Sequence, residues 1–196
     1  MILVSLSLLV YIFGPVLKEE TKYNFDKLAK VKYIVGQEEA LNSFEKPLVA
    51  PNTDFSIVIP KIAAAAPVVP DVNSQDKFEY LKALRSGVAH AAGTAYPGEP
   101  GNVYLFAHST DSFLNVNQYN AVFYLIGKLK AGDEIDIFYQ GRLIKYEVTE
   151  KKVVAPDDVK YLGSLGDEKT LTLQTCYPPG TTLKRLIVVA KQVVTD

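Results

Sequence analysis

The sequence of 196 residues predicts an all-β domain, an antiparallel barrel or sandwich with a few short helices, behind an N-terminal apolar segment. Three observations carry this. About seven short runs alternate apolar and polar side chains with the period of a half-buried strand, each bounded by Pro, Gly or Asp clusters. One long run, 133–150, folds back on itself through a two-residue turn. And no β-α-β rhythm runs along the chain, which argues against a parallel α/β sheet.

The elements follow in order. Ile2 to Leu17 carries no charge. That stretch is just short of the roughly 17–25 residues that cross a bilayer. It has neither a basic start nor a small-residue cleavage site, so it reads as an uncleaved anchor over 1–17 rather than a signal peptide. Lys18, Lys22, Lys27, Lys30 and Lys32 follow it, and by the positive-inside rule they would place the body in the cytoplasm. Residues 18–53 read as a stalk and linker: a polar helix to about 46, ended by Pro47, then the turn-rich "KPLVAPNTD". The globular domain is expected from 54 to 196.

Within it, "FSIVIP" (55–60) is a strand stopped by Pro60, and "KFEYLKALRSG" (77–87) a short helix closed by Gly87. "TAYPGEPGN" (94–102) is a dense turn region, "VYLFAH" (103–108) a strand, and "YNAVFYLIGKL" (119–129) a second short helix. In 133–150 the turn falls at Gln140-Gly141, which sets Tyr139 opposite Arg142, Ile137 opposite Ile144 and Ile135 opposite Tyr146. "TLTLQTC" (170–176) and "KRLIVVAKQV" (184–193) are the last two strands.

Composition narrows the function. Net charge is −1 and no basic stretch is dense enough for nucleic acid. The single cysteine excludes an intrachain disulfide. A core of about 140–150 residues buries enough surface to fold without one.

That cysteine, Cys176, ends its strand just before Pro178 and Pro179, which remove two backbone donors and stop the ladder. Alternation puts Thr170, Thr172, Gln174 and Cys176 on one face and Leu171, Leu173 and Thr175 on the other. Cys176 is thus a thiol at a sheet rim. If the last two strands form a hairpin, Arg185 lies beside it, a cation suited to holding a thiolate or a developing oxyanion. The histidine partner is His108, at the end of a strand, in preference to His90, which sits in the small-residue stretch "GVAHAAGTAYPG" and reads as a loop without apolar support. The bland alternative is a surface-anchored binding or structural module whose thiol is buried and incidental.

Taken together, "TLTLQTC", "KRLIVVAK", "GTAYPGEPGNVYLFAHS", "FSIVIPKIAAAAPVV" and "LKAGDEIDIFYQGRLIKYEV" resemble, in content and order over about 54–193, a sortase. Sortases are membrane-anchored cysteine transpeptidases. The L,D-transpeptidase signature is missing from "LQTCYP", and papain-like enzymes place Cys before His, the reverse of the order here. The resemblance implies a closed, mixed or antiparallel β-barrel with a groove over Cys176, Cys176 as nucleophile, His108 as its histidine and Arg185 as the active-site arginine. It puts His90 outside catalysis. Ala107 stands where the family usually has glycine.

It further implies cleavage of a Thr–Gly-type bond in an LPxTG-like sorting signal through a thioacyl intermediate. An amine, from a peptidoglycan cross-bridge or a pilin lysine, would resolve it. The catalytic domain would lie outside the cell membrane, against the lysine count. Val159, Tyr161 and Leu162, in the segment just before the nucleophile strand, and Thr175 beside the nucleophile are the substrate-contact candidates. No cofactor is expected: Asp157, Asp158, Asp167 and Glu168 lack calcium-loop spacing.

Overall fold

The computed structural model describes residues 17–36, 45–109, 122–163 and 168–193. The apolar segment expected as an anchor lies, up to residue 16, outside the described residues. Among those described, no helix is long and apolar enough to cross a membrane.

The described chain opens with helix α1, residues 17–28. It stops well before Pro47. Lys30 takes a φ of 53° and the Val31 N–H closes onto the Asp26 carbonyl at 2.8 Å, a left-handed ending that needs no proline. Strands β1 (Lys32–Val35) and β2 (Glu45–Leu48) then pair in parallel, so Pro47 lies inside a strand and faces Ile34. The expected polar helix to 46 is therefore corrected to a short helix plus a two-stranded flap. A two-stranded sheet is an edge on both sides, which is where proline is tolerated.

Eight strands close a barrel: β3 (Phe55–Ile59), β4 (Ala64–Val72), β5 (Val88–Ala91), β6 (Gly101–Phe106), β7 (Glu134–Tyr139), β8 (Arg142–Val154), β9 (Lys169–Tyr177) and β10 (Lys184–Gln192). Around the barrel they run β10-β8-β7-β3-β4-β5-β6-β9, and β9 pairs back onto β10. Pairing is mixed: β4 with β5 and β6 with β9 are parallel, the others antiparallel. The β7–β8 hairpin has the register expected from its sequence, Tyr139 with Arg142, Ile137 with Ile144 and Ile135 with Tyr146. Gln140 and Gly141 both adopt positive φ, 50° and 74°, as a type I′ turn demands.

Ile57, Ile137, Leu105, Leu171, Leu173 and Val188 fill the interior and are fully or almost fully buried. Each such side chain contributes about 1.5–3 kcal/mol by leaving water.

Helix α2 (Lys77–Ser86) joins β4 to β5. The Asp76 carboxylate accepts from the Phe78 and Glu79 amides at 2.9 and 3.2 Å, capping its start. Gly87 ends it in contact with β4, where an added Cβ would lie 2.2 Å from the Pro67 carbonyl oxygen. Short 3-10 turns occupy Pro60–Ile62, Tyr124–Lys128 and Lys160–Leu162. The second is what remains of the helix expected over 119–129, whose residues 119–121 lie outside the described set.

The clearest correction concerns His90. It is not in a loop: it lies in β5, opposite Leu105 of β6, with no exposed surface. The segment "VAHA" is poor in β-formers, yet small side chains are what let a strand fit between β4 and β6 at this point.

Candidate active site

The site is built on the β9–β10 hairpin. Cys176 and Arg185 are direct partners in its register, so their side chains leave the sheet side by side on one face, the one opposite Leu171 and Leu173. Cross-strand Cβ atoms in such a pair stand about 4.5–5.5 Å apart. Thr172 and Gln174 of β9, and Ile187 and Val189 of β10, share that face. Cys176 is half-buried and unoxidised. One residue later the strand ends, and Tyr177 and Pro178 are joined by a cis peptide.

Arg185 is half-buried, and its Nη1 donates to the Thr182 and Lys184 carbonyls, each at 3.1 Å. Those bonds fix the guanidinium against the β9–β10 connection. Nε and Nη2 make no hydrogen bond to the described residues, so the fork keeps donors for a ligand.

His108 follows β6 by two residues, and β6 runs parallel to β9 with Phe106 opposite Gln174. The pairing continues past the strand: the Ala107 amide donates to the Gln174 carbonyl at 3.1 Å. The Thr175 hydroxyl donates to the Ala107 carbonyl at 2.9 Å. Both peptide groups of Ala107 are thus tied to the residues just before Cys176. This latch brings the segment carrying the half-buried His108 alongside the end of β9 that carries Cys176. Ala107 needs no glycine backbone, since its φ is not among the positive ones.

Thr175 is consequently not a groove residue. It is buried, points to the opposite face from Cys176 and spends its hydroxyl on the latch. Tyr161 is also buried. Its carbonyl accepts from Asn102 Nδ2 at 2.7 Å, which pins the Lys160–Leu162 turn over the start of β6. Leu162 packs against the core, and Val159 is exposed. Asn102 pairs with Thr170, six residues before Cys176 or about 20 Å along the strand. The pinned turn therefore flanks the far end of this face.

His90 is satisfied where it is. Its Nε2 meets the Ala95 carbonyl at 3.1 Å and the Thr94 hydroxyl at 2.9 Å. Its Nδ1 accepts from the Asp71 amide at 3.4 Å. Phe55 and Tyr96 pack on the ring at 5.7 and 4.8 Å. Burial holds it below the ordinary histidine range, so the ring is neutral and structural.

Two features of the face were not expected from sequence. Tyr104, nearly inaccessible, donates its hydroxyl to Gln174 Oε1 at 2.5 Å, and burial pushes its phenol well up while the Arg185 charge acts against that. Asn102 Oδ1 accepts from both Thr170 and Thr172 hydroxyls, at 3.1 and 2.9 Å. This explains threonines at alternate positions of β9: they satisfy a buried amide. Among the described residues no group of three or more His, Cys, Asp or Glu could hold a metal ion.

Comparison with known proteins places the fold. A family model, Sortase domain, matches residues 57–193. The chain belongs to the sortase family. It is 30% identical over 138 residues to Sortase D of Bacillus subtilis (strain 168), covering 69% of this chain and 61% of that protein. The chain therefore spans about three fifths of that curated relative. Among solved structures, this sortase is similar to sortase C-1 from Actinomyces oris, with a TM-score of 0.62 and 29% identity over 72% of each chain. It is also similar to the Clostridium perfringens Sortase D5 transpeptidase, with a TM-score of 0.58 and 33% identity over 72% of this chain and 79% of that one.

Proposed function

We propose that this sortase is a membrane-anchored cysteine transpeptidase acting on the sorting signals of other proteins outside the cell membrane. The observation that carries the reading is the direct pairing of Cys176 with Arg185, with His108 latched alongside through Thr175 and Ala107.

The chemistry follows from those three side chains. Attack needs a thiolate, and most of a free thiol is protonated at neutral pH. His108 as imidazolium and Arg185 as guanidinium hold the anion. Cys176 Sγ adds to the carbonyl of a Thr–Gly-type bond, and the oxyanion is met by the free arm of the Arg185 fork. His108 gives its proton to the leaving amine as the C–N bond breaks, which leaves a thioacyl enzyme. An incoming amine, from a peptidoglycan cross-bridge or a pilin lysine, returns a proton to His108, forms the new amide and releases the thiolate. Water in its place gives hydrolysis. Val159, exposed on the flanking segment, is the remaining candidate there for a contact with the peptide.

The alternative, a non-enzymatic module with an inert thiol, predicts a fully buried Cys176, whereas the side chain is half-buried at a strand end. The test is a panel of LPxTG-like peptides with hydroxylamine, read by mass spectrometry, with Cys176→Ala alongside. A hydroxamate product cut between Thr and Gly, absent in the variant, supports the proposal. No cleavage together with a thiol that labels only after denaturation overturns it.

A further inference from the structure

A second concave feature lies away from the Cys176 face. α1 and β1 form one wall of a cleft of about 1010 Å³; the Pro60–Ile62 and Tyr124–Lys128 turns and the β7–β8 hairpin form the other. Nine lysines line it against three carboxylates, in a chain whose net charge is −1.

Two of the carboxylates are already neutralised. Asp26 accepts from Lys46 at 2.9 Å and from the Tyr33 hydroxyl at 2.7 Å, and Glu134 pairs with Lys145 at 3.1 Å. Lys61 and Lys128 are likewise paired, with Asp133 and Glu20. Lys27, Lys30, Lys32 and Lys130 are exposed and form no ion pair with a described residue, although Lys32 stands opposite Glu45 in the β1–β2 register. A cleft with such an excess of compact, hydrated ammonium groups suits ligands bearing several phosphate-type oxygens.

The outer side of α1 says which source of phosphate. Leu17, Phe25 and Leu28 are 58%, 67% and 84% exposed, unusual for large apolar side chains. At about 100° per residue they fall within roughly 80° of one another on the helix. Tyr23, on another side, packs against the core and carries Lys128 over its ring at 5.5 Å. An apolar stripe pointing away from the protein, beside lysines, is the pattern of a helix lying in a membrane interface. Lys22 and Lys27 stand only about 7 and 15 Å along the helix from Leu17, where the uncharged stretch ends.

We propose that α1 and its lysine-lined cleft form a binding surface for anionic phospholipid headgroups, which seats the barrel on the membrane in one orientation. The orienting role rests on the anchor proposed above; the lipid contact does not.

The chain contains no tryptophan, so Phe25→Trp supplies a single indole reporter in the full-length protein. It is measured with vesicles of phosphatidylcholine alone and with phosphatidylglycerol added, using bromine-labelled lipid as quencher. The expected result is a blue shift and quenching in anionic vesicles only, reversed near 0.5 M salt, where the Debye length falls to roughly 4 Å. The same protein with Lys27, Lys30, Lys32 and Lys130 changed to Glu should lose both signals. Equal spectra in the two vesicle types, or quenching indifferent to the four charges, overturn the proposal. So does a shift produced by soluble polyphosphate and not by vesicles. Co-flotation with phosphatidylcholine vesicles scores the anchor separately, and peptide cleavage scores the enzyme reading.

Discussion

Asp136 offers a quantitative test of the fold. It lies in β7 between Val58 of β3 and Lys145 of β8, is fully buried, and neither carboxylate oxygen meets the geometry of a hydrogen bond with any described residue. Burial pushes its carboxyl up to about 7, Glu134's charge adds to the rise, and Lys145 pulls against it. The folded value is thus above the unfolded one, so the unfolded chain releases this proton first. Stability contributed here is present near pH 4 and falls as pH rises through about 7, after which the loss is constant. A rise of this kind costs on the order of a few kcal/mol. That is a large share of the 5–15 kcal/mol typical of a domain.

Asp136→Asn removes the charge while keeping the shape. Urea midpoints of the two proteins should nearly coincide near pH 4. They should separate by a few kcal/mol near pH 8, with the variant the more stable. A gap independent of pH, or a variant less stable than the parent at pH 8, would refute the reasoning: the carboxylate would then have a partner or reach water.

Other expectations are simpler. Arg185→Ala should slow thioacyl formation about 100–1,000-fold in single-turnover peptide assays, and Arg185→Lys should restore only part of this because a lysine has no fork. Thr175→Val strips the latch from the Ala107 carbonyl, at a cost of about 1–3 kcal/mol in a denaturant titration. It should lower peptide turnover while leaving Cys176 reactive to a small thiol reagent. Gly87→Ala places a methyl against the Pro67 carbonyl, and thermal melting should show a loss of about 1–3 kcal/mol as β5 is pushed off β4.

The parts of this protein that were legible in its sequence are those where one signal dominates. The β7–β8 register follows from Gln140-Gly141 and the apolar alternation on either side. The Cys176–Arg185 pairing follows from two adjacent strands joined by a short connection. What escaped is β4, β5 and the β1–β2 flap. "AAAPVVPDV" and "VAHA" interrupt their valines with alanine, proline and a histidine, and pairing to neighbours on both sides supplies what propensity does not. That is also why His90 looked unsupported although it is the more deeply held of the two histidines. Thr175 was misplaced for a different reason. Alternation did put it opposite Cys176, but only the tertiary pairing of β6 with β9 shows that its hydroxyl serves the segment carrying His108.

The strand order has a consequence for how the barrel comes into being. Until residues 169–192 are made, β3 to β8 can form only an open sheet, with β6 at one edge and β8 at the other. The β9–β10 hairpin is the clasp that joins those edges, and it is also the element that carries Cys176 and Arg185. An unfinished or C-terminally trimmed chain therefore has two unpaired edges, which invite aggregation, and lacks both Cys176 and Arg185. Closure of the barrel and the pairing of Cys176 with Arg185 arrive in one step.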